Sequence, residues 1–227
     1  MSDIKVWSKE NLDNLKNNRH FPSEMILRAS VSKNYFSKPF EPKKGKSVLD
    51  IGCLFANNLV PFWDREMELF GTEVTDESVA ICREMCKKQG LKAEIKKGIN
   101  TNLPFTSSSF DLVLSIATIH YEESKNKIKE ALNEYRRVLK EDGSCIIKTV
   151  GPEHSMYKQS KKTTHGNFIL KNSNDLRHKQ KFFFFENVSD LVKLAKEYFP
   201  IIETARITER YPKNCLDFFL LKCDIKK

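Results

Sequence analysis

An acid and a glycine at the end of one short apolar segment form the first candidate for a ligand site. The segment SVLDI, residues 47–51, has the composition of a buried strand, and Asp50 and Gly52 stand at its carboxyl end. In a parallel sheet that end faces the ligand-binding edge, and a glycine there lets a ligand approach the backbone. A helix that begins after the turn would offer its free N–H groups to the same ligand.

A second acid, Glu73, ends the next predicted strand, about 20 residues beyond the loop. A carboxylate at this place can accept hydrogen bonds from both hydroxyls of a ribose. By itself, such an acid is also typical of a solvated strand end. Its pairing with Asp50 and Gly52 at this spacing favours a nucleotide-type ligand.

The elements that must position these residues alternate along the chain, which favours a doubly wound α/β sheet. Strands are predicted at residues 47–51, 68–74, 92–97, 110–116 and 144–150, and a closing antiparallel pair at 201–208 and 215–223. Helices are predicted at residues 57–69, 76–89 and 187–198, with a further helix that Ser124 caps. The run Phe182–Phe185 is interpreted as core rather than as a platform for stacking bases.

Four segments, in this order, resemble the class I S-adenosylmethionine-dependent methyltransferases. They are VLDIGCLFANN (48–58), FGTEVTDESVAIC (70–82), GINTNLPFTSSSFDLVLSIATIH (98–120) and YRRVLKEDGSCIIKT (135–149). HFPSE (20–24) and KFFFFENVSDLVKL (181–194) are similar to one bacterial subgroup, whose substrates are often small molecules or sugars. The resemblance implies a Rossmann-like seven-stranded sheet, mostly parallel with an antiparallel last strand. It divides the chain into an N-terminal helical extension, 1–44, and a methyltransferase domain, 45–227.

The resemblance also implies S-adenosyl-L-methionine as cofactor and gives each part of it a place. Gly52 and its neighbours would hold the methionine part, and Glu73 would hold the ribose. Ile99 and Asn100 would lie beside the adenine, and Ser115 and Ile116 would end the strand that carries the substrate-facing loop. The predicted cofactor-binding set is Asp50, Gly52, Cys53, Asn57, Glu73, Val74, Ile99, Asn100, Ser115 and Ile116.

Two departures from the family pattern concern this same site. Leu54 and Ala56 stand where the family loop normally has glycine, and a leucine in a tight turn narrows the backbone choices. Ile99 replaces the acid that the family commonly places beside the adenine amino group. Because a lost hydrogen bond of this kind costs about 1–3 kcal/mol, we expect weaker cofactor binding.

Two histidines are candidates for a catalytic base or a contact with the methyl acceptor. His120 follows the fourth strand, and His154 lies in a long polar segment, 151–180, that we interpret as a substrate-covering lid. A histidine with its ordinary pKa of ~6.5 could take a proton at neutral pH. Either residue could equally have a purely structural role, because methyl transfer depends largely on alignment of the reactants.

Whole-chain composition narrows the choice of partners. The net charge is +9, but the lysines are scattered in pairs, so nucleic acid is a less favoured partner than a small molecule. The six cysteines lack zinc-site spacing, and no metal is expected. The absence of a membrane-length apolar run and of a secretion signal predicts a cytoplasmic protein that does not enter membranes. The oligomeric state is not predicted.

We therefore predict a methyltransferase that acts on a small-molecule acceptor, a metabolite or a sugar. Two alternatives stay open. One is a methyltransferase of RNA or another nucleic acid, which the basic charge suggests. The other is a catalytically weakened binding protein that keeps the fold, which Leu54, Ala56 and Ile99 suggest.

Overall fold

The computed structural model describes residues 21–32 and 34–226. Much of the predicted N-terminal extension, 1–44, lies outside the described residues. Within the described part of that extension one helix forms, α1 (Glu24–Ser30). It buries Met25, Ile26 and Ala29 against one face of the main sheet.

Ten strands form two sheets in the described part of the chain. They are β1 (Ser47–Ile51), β2 (Glu68–Glu73), β3 (Ala93–Lys97), β4 (Phe110–Ile116), β5 (Leu139–Val150), β6 (Ser160–Lys162), β7 (Phe168–Leu170), β8 (Lys181–Phe182), β9 (Ile201–Tyr211) and β10 (Asn214–Asp224). The main sheet has seven strands in the order β3-β2-β1-β4-β5-β10-β9. Strands β3, β2, β1, β4 and β5 pair in parallel, whereas β10 is antiparallel to both of its neighbours. This topology confirms the predicted fold class.

Helices cover both faces of the main sheet. After α1 come α2 (Val60–Trp63), α3 (Asp76–Gln89), α4 (Lys125–Val138), α5 (Ser155–Lys158) and α6 (Val188–Ala195). Single turns of 3-10 helix occupy Asn57–Leu59 and Ile119–Tyr121. No helix in the described ranges is both long and apolar enough to cross a bilayer.

The predicted bounds of α3 are confirmed at both ends because local chemistry determines them. Thr75 and Ser78 form a reciprocal capping box at its start, and Gly90 ends it with a left-handed φ of 72°. The start of α4 is equally local, since the Ser124 side chain accepts a hydrogen bond from the backbone N–H of Lys127.

Several predicted elements have different bounds, and β9 extends to Tyr211 instead of ending at 208. The helix predicted at 57–69 is wrong beyond Trp63, because the chain reverses at Glu66, which has a left-handed φ of 54°, and β2 has begun by Glu68. Strand β5 begins at Leu139 instead of 144. Leu139 pairs with Phe110 of β4, and a β-bulge between Phe110 and Leu112 lets the pairing continue past the predicted turn. The helix predicted at 187–198 is regular only over α6.

The predicted lid, residues 151–180, is folded rather than loop-like. It contains α5 and two strands of the small antiparallel sheet β6-β7-β8. This sheet, which we call the roof, has its own buried cluster, to which Met156, Phe168, Leu170, Phe182 and Phe184 contribute. Apolar side chains at alternate positions give this polar segment enough buried surface to form strands.

Gly71, in the middle of β2, allows the loop after β1 to pack against the sheet. A Cβ atom at this position would lie 2.5 Å from Cys53 Sγ and 2.8 Å from Ile95 Cδ1. We expect Gly71→Ala to lower the free energy of unfolding by about 1–3 kcal/mol through overpacking. Urea denaturation measures the loss. In a Cys53→Ala background the loss should be smaller, because the sulfur that the new Cβ would meet is absent. Strictly additive changes in the free energy of unfolding would contradict this explanation.

Candidate functional site

The carboxyl ends of the parallel strands open into one cavity of about 790 Å³. The sheet register pairs Ile51 with both Thr72 and Ser115, so Gly52, Glu73 and Ile116 follow at the same edge. All three line the cavity. Its volume is within the range of small-molecule sites, about 300–1,000 Å³.

The cavity has two ends of different chemistry. The loop end is lined by Gly52, Leu54, Glu73, Val74, Ile99 and Asn100. The roofed end is lined by His120, His154, Met156, His165, Asn167 and Arg177. Of the predicted site residues, Gly52, Glu73, Val74, Ile99, Asn100, Ile116, His120 and His154 therefore meet in one cavity.

The loop after β1 has a left-handed backbone at every second residue. The φ angles are 65° at Gly52, 48° at Leu54 and 58° at Ala56. A side chain at 52 would also collide with Thr118, whose Cγ2 lies 2.5 Å from an added Cβ. Leu54 and Ala56 thus retain a backbone that suits glycine, at a cost of about 1–2 kcal/mol each. The leucine does not reshape the loop, but its side chain lines the cavity.

Glu73 holds this loop from the end of β2. Its Oε1 accepts a hydrogen bond of 2.5 Å from the backbone N–H of Leu54. Burial raises the pKa of Glu73, and hydrogen bonds from Leu54, Ser78 and Val74 oppose the rise. The carboxyl group therefore both orders the loop and lines the cavity beside it.

Asp50 lies directly behind the cavity wall and is 1% exposed. Asn58 Nδ2 donates to its Oδ2 at 3.4 Å, but Oδ1 has no hydrogen-bond partner among the described residues. Burial raises the pKa of Asp50 to about 8, and the nearby Glu73 adds to the rise. Such an unmet buried acceptor is costly by itself and suits a ligand or a water that donates a hydrogen bond.

A chain of hydrogen bonds supports the floor of the cavity. The Tyr135 hydroxyl donates to Asn100 Oδ1 at 2.6 Å and lies 3.0 Å from Ser115 Oγ. Because its oxygen accepts from Tyr135, the Asn100 amide directs Nδ2 toward Glu122 Oε1, at 3.0 Å. Ser115 in turn pairs with Thr118 at 2.9 Å. The network joins α4, β4 and two cavity loops.

Both predicted catalytic histidines line the cavity but differ from the predicted base. Burial lowers the pKa of His120 to about 3 and that of His154 to about 4, and the charge of Arg177 contributes to both shifts. His120 stacks on Tyr121, with ring centroids 5.1 Å apart. Both imidazoles are therefore neutral at pH 7, whereas the sequence predicted an ordinary pKa.

Three predicted residues lie near the cavity without lining it. Cys53 is buried, with its sulfur 3.5 Å from Cys82 Sγ, and Asn57 begins a 3-10 turn. Ser115 is buried in the network below the floor. Asn167 and Arg177 line the cavity but were not predicted individually, because only the folding of the roof brings them there.

Comparison with known proteins agrees with this geometry. The family described as a methyltransferase domain matches residues 49–147. An uncharacterized protein of Methanocaldococcus jannaschii is 33% identical over 149 residues, which are 65% of this chain and 59% of that protein. The fold also matches a crystal structure of a SAM-dependent methyltransferase from Methanosarcina mazei, with a TM-score of 0.65, 18% identity and coverage of 83% and 95%.

Residues 49–147 therefore resemble the methyltransferase-domain family, and the fold is that of solved SAM-dependent methyltransferases. Named relatives have very different acceptors. Norajmaline N-methyltransferase of Rauvolfia serpentina is 31% identical over 46% of this chain and 36% of its own length. A tRNA (carboxymethyluridine(34)-5-O)-methyltransferase of Xenopus tropicalis is 28% identical over 54% and 19%. The chain thus spans less than two thirds of each of these curated relatives, and the family leaves its acceptor undetermined.

The raised pKa of Asp50 makes stability depend on pH in a defined direction. The unfolded state releases this proton near its ordinary pKa of 3.8, whereas the folded state keeps it up to about 8. This stabilisation is therefore complete below the unfolded pKa and is lost as the pH rises through the folded pKa. Between about pH 5 and 8, urea unfolding of the wild type should lose stability relative to Asp50→Asn. A constant difference between the two proteins would contradict the assignment.

The Tyr135 hydroxyl should contribute to cofactor binding through Asn100. In Tyr135→Phe the Asn100 amide loses its orienting donor, and we expect S-adenosylhomocysteine to bind with a Kd about 2–10-fold higher. Calorimetric titration measures the change. The matched control is Tyr211→Phe, which removes an exposed hydroxyl bonded to Glu209. Equal affinities in all three proteins would show that the network serves stability alone.

Proposed function

We propose that this protein transfers the methyl group of S-adenosylmethionine to a small-molecule acceptor, a metabolite or a sugar, bound at the roofed end. One observation carries the proposal: a single cavity runs from the loop end to the roofed end. Methyl transfer requires cofactor and acceptor to share one chamber, with the reacting atoms aligned. The fold and the family are consistent with this arrangement.

The side chains at the loop end match the hydrogen-bonding and apolar groups of the cofactor. The Glu73 carboxylate lines this end of the cavity and suits the ribose hydroxyls. Ile99 is 43% exposed in the cavity and offers the adenine an apolar contact without an acid. When bound, S-adenosylmethionine supplies an electrophilic methyl group on a sulfonium.

The residues at the roofed end would hold and desolvate the acceptor. Residues 151–180 cover this end, and we propose that they act as the lid that excludes water. Since His120 and His154 are neutral, we propose that they orient the acceptor by hydrogen bonds or accept its proton only transiently. Alignment of the reactants would then supply most of the rate.

RNA is a second candidate acceptor, and one observation favours it. Residues 151–180 hold six Lys and Arg residues but only two acidic residues, so the face beside the cavity is basic. Basic surfaces attract polyanions. The covered cavity favours the small molecule, since an RNA would have to insert a flipped base beneath the roof.

The cofactor assignment is tested by calorimetric titration with S-adenosylmethionine and S-adenosylhomocysteine. We expect the wild type to bind both. Glu73→Gln keeps an acceptor for Leu54 but weakens the ribose contacts, which should raise the Kd by about 5–100-fold. The matched control is Glu68→Gln, at the exposed opposite end of the same strand, which should bind like the wild type.

The outcomes separate the alternatives. An unchanged Kd in Glu73→Gln would contradict the ribose assignment. No binding of either compound to the wild type would favour the binding protein that has lost cofactor affinity. RNA binding that falls steeply with salt, together with RNA methylation, would favour the second acceptor.

A further inference from the structure

The polar side chains of the roofed end direct hydrogen-bond donors into the cavity. His154 shows this most clearly, because its Nδ1 accepts a hydrogen bond of 3.0 Å from the backbone N–H of Met156. A neutral imidazole that accepts at Nδ1 carries its proton on Nε2. The nitrogen left for a ligand is therefore a donor.

Asn167, which directly precedes strand β7 of the roof, presents a second donor. Its Oδ1 accepts a hydrogen bond from the Thr163 hydroxyl. The acceptor of the amide is thereby engaged, and the NH₂ group is the part that can serve a ligand. Asn167 is 8% exposed and lines the cavity, so this amide is both buried and positioned.

Arg177 adds a cationic side chain whose orientation is fixed by its neighbours. Its Nε and Nη2 donate to the two oxygens of Asp175 at 2.8 and 2.7 Å, and its backbone N–H also donates to Asp175. The guanidinium contacts Tyr121 as well. Asp175 therefore orients Arg177, which has donors only, beside the cavity.

The acids near this end already have partners. Asp217 accepts from Arg206, Thr208 and the backbone N–H of Glu153. Glu123 lies 3.9 Å from Lys181 Nζ. Lys148 places its ammonium 4.0 Å from the centre of the Phe218 ring, and Phe218 lines the cavity. Arg177 and Lys148 thus place two cationic side chains at or beside the roofed end.

We propose that the methyl acceptor carries an oxyanion, a carboxylate or a phosphate monoester, held by His154, Asn167 and Arg177. This inference rests on the proposed function and specifies its substrate class. Three donors that line one end of the cavity match the several lone pairs of such a group. A neutral amide or an amine would leave donors unpaired or bring two cations together.

The test uses three matched probes on the full-length protein saturated with S-adenosylhomocysteine. They are benzoate, phenyl phosphate and benzamide, which is the neutral counterpart of benzoate. We expect calorimetry to give benzoate or phenyl phosphate an affinity at least about tenfold above that of benzamide, because hydrogen bonds to a charged group are the stronger ones. Equal affinities, or no anion binding, would overturn the proposal.

Asn167→Asp places a negative charge at the proposed contact with almost no change of shape. We expect it to abolish the preference for the anion and to leave the affinity for S-adenosylhomocysteine unchanged. Asn174→Asp is the matched control, because Asn174 is an exposed residue of the same segment and does not line the cavity. If Asn167→Asp does not fold, Asn167→Ala should still reduce the preference.

Two further measurements distinguish a failure of the anion site from a failure of the proposed function. An equal loss of the anion preference in Asn167→Asp and Asn174→Asp would overturn the proposal in favour of a basic surface site. Binding of a short single-stranded RNA that does not depend on Asn167 would do the same. The anion titrations are repeated without S-adenosylhomocysteine. Anion binding that depends on Asn167, in a protein that does not bind S-adenosylhomocysteine, would keep the anion site and reject the proposed function.

Discussion

The hydrogen bond between the Leu54 N–H and Glu73 Oε1 is the interaction on which the cavity depends. It joins the ends of β1 and β2, and it holds a loop whose left-handed residues at 54 and 56 have side chains. Left-handed backbone at such residues persists only where the surroundings stabilise it. Here a buried carboxylate on one side and Thr118 packed against Gly52 on the other provide that support. Leu54 and Ala56 therefore adopt a backbone that glycine would adopt at a lower cost.

The same constraint explains which parts of the fold were predictable. Elements bounded by local chemistry had the predicted bounds, as with the capping box and Gly90 of α3 and the uniformly buried strand β1. Elements bounded by tertiary contacts did not. Nothing local to residues 64–67 indicates that the chain must reverse there to begin β2, and the early start of β5 depends on a bulge opposite another strand.

The residues of the candidate site also form two groups, one that could be predicted from the sequence and one that could not. The residues of the loop end follow strand ends, so spacing in the sequence brought Gly52 and Glu73 together, and the family resemblance added Asn100. The roofed end is formed by a separate small sheet. Its strands depend on apolar side chains at alternate positions, a pattern that is hard to recognise because the segment is mostly polar. Phe182 and Phe184 pack into the roof, whereas Phe183 and Phe185 pack into the main core. One short phenylalanine run, correctly predicted to be buried, therefore attaches the roof to the domain.

Both ends of the cavity hold titratable groups in unfavourable surroundings, and this costs stability in the free protein. Asp50 and Glu73 are buried acids with raised pKa values, and Asp50 leaves an acceptor unpaired. His120 is buried and His154 half-buried, and both imidazoles are held neutral near two cations. A sequence selected for stability alone would avoid both arrangements, because each leaves a titratable group in an unfavourable state. These costs would be offset by ligands that supply the missing hydrogen-bond partners at each end of the cavity.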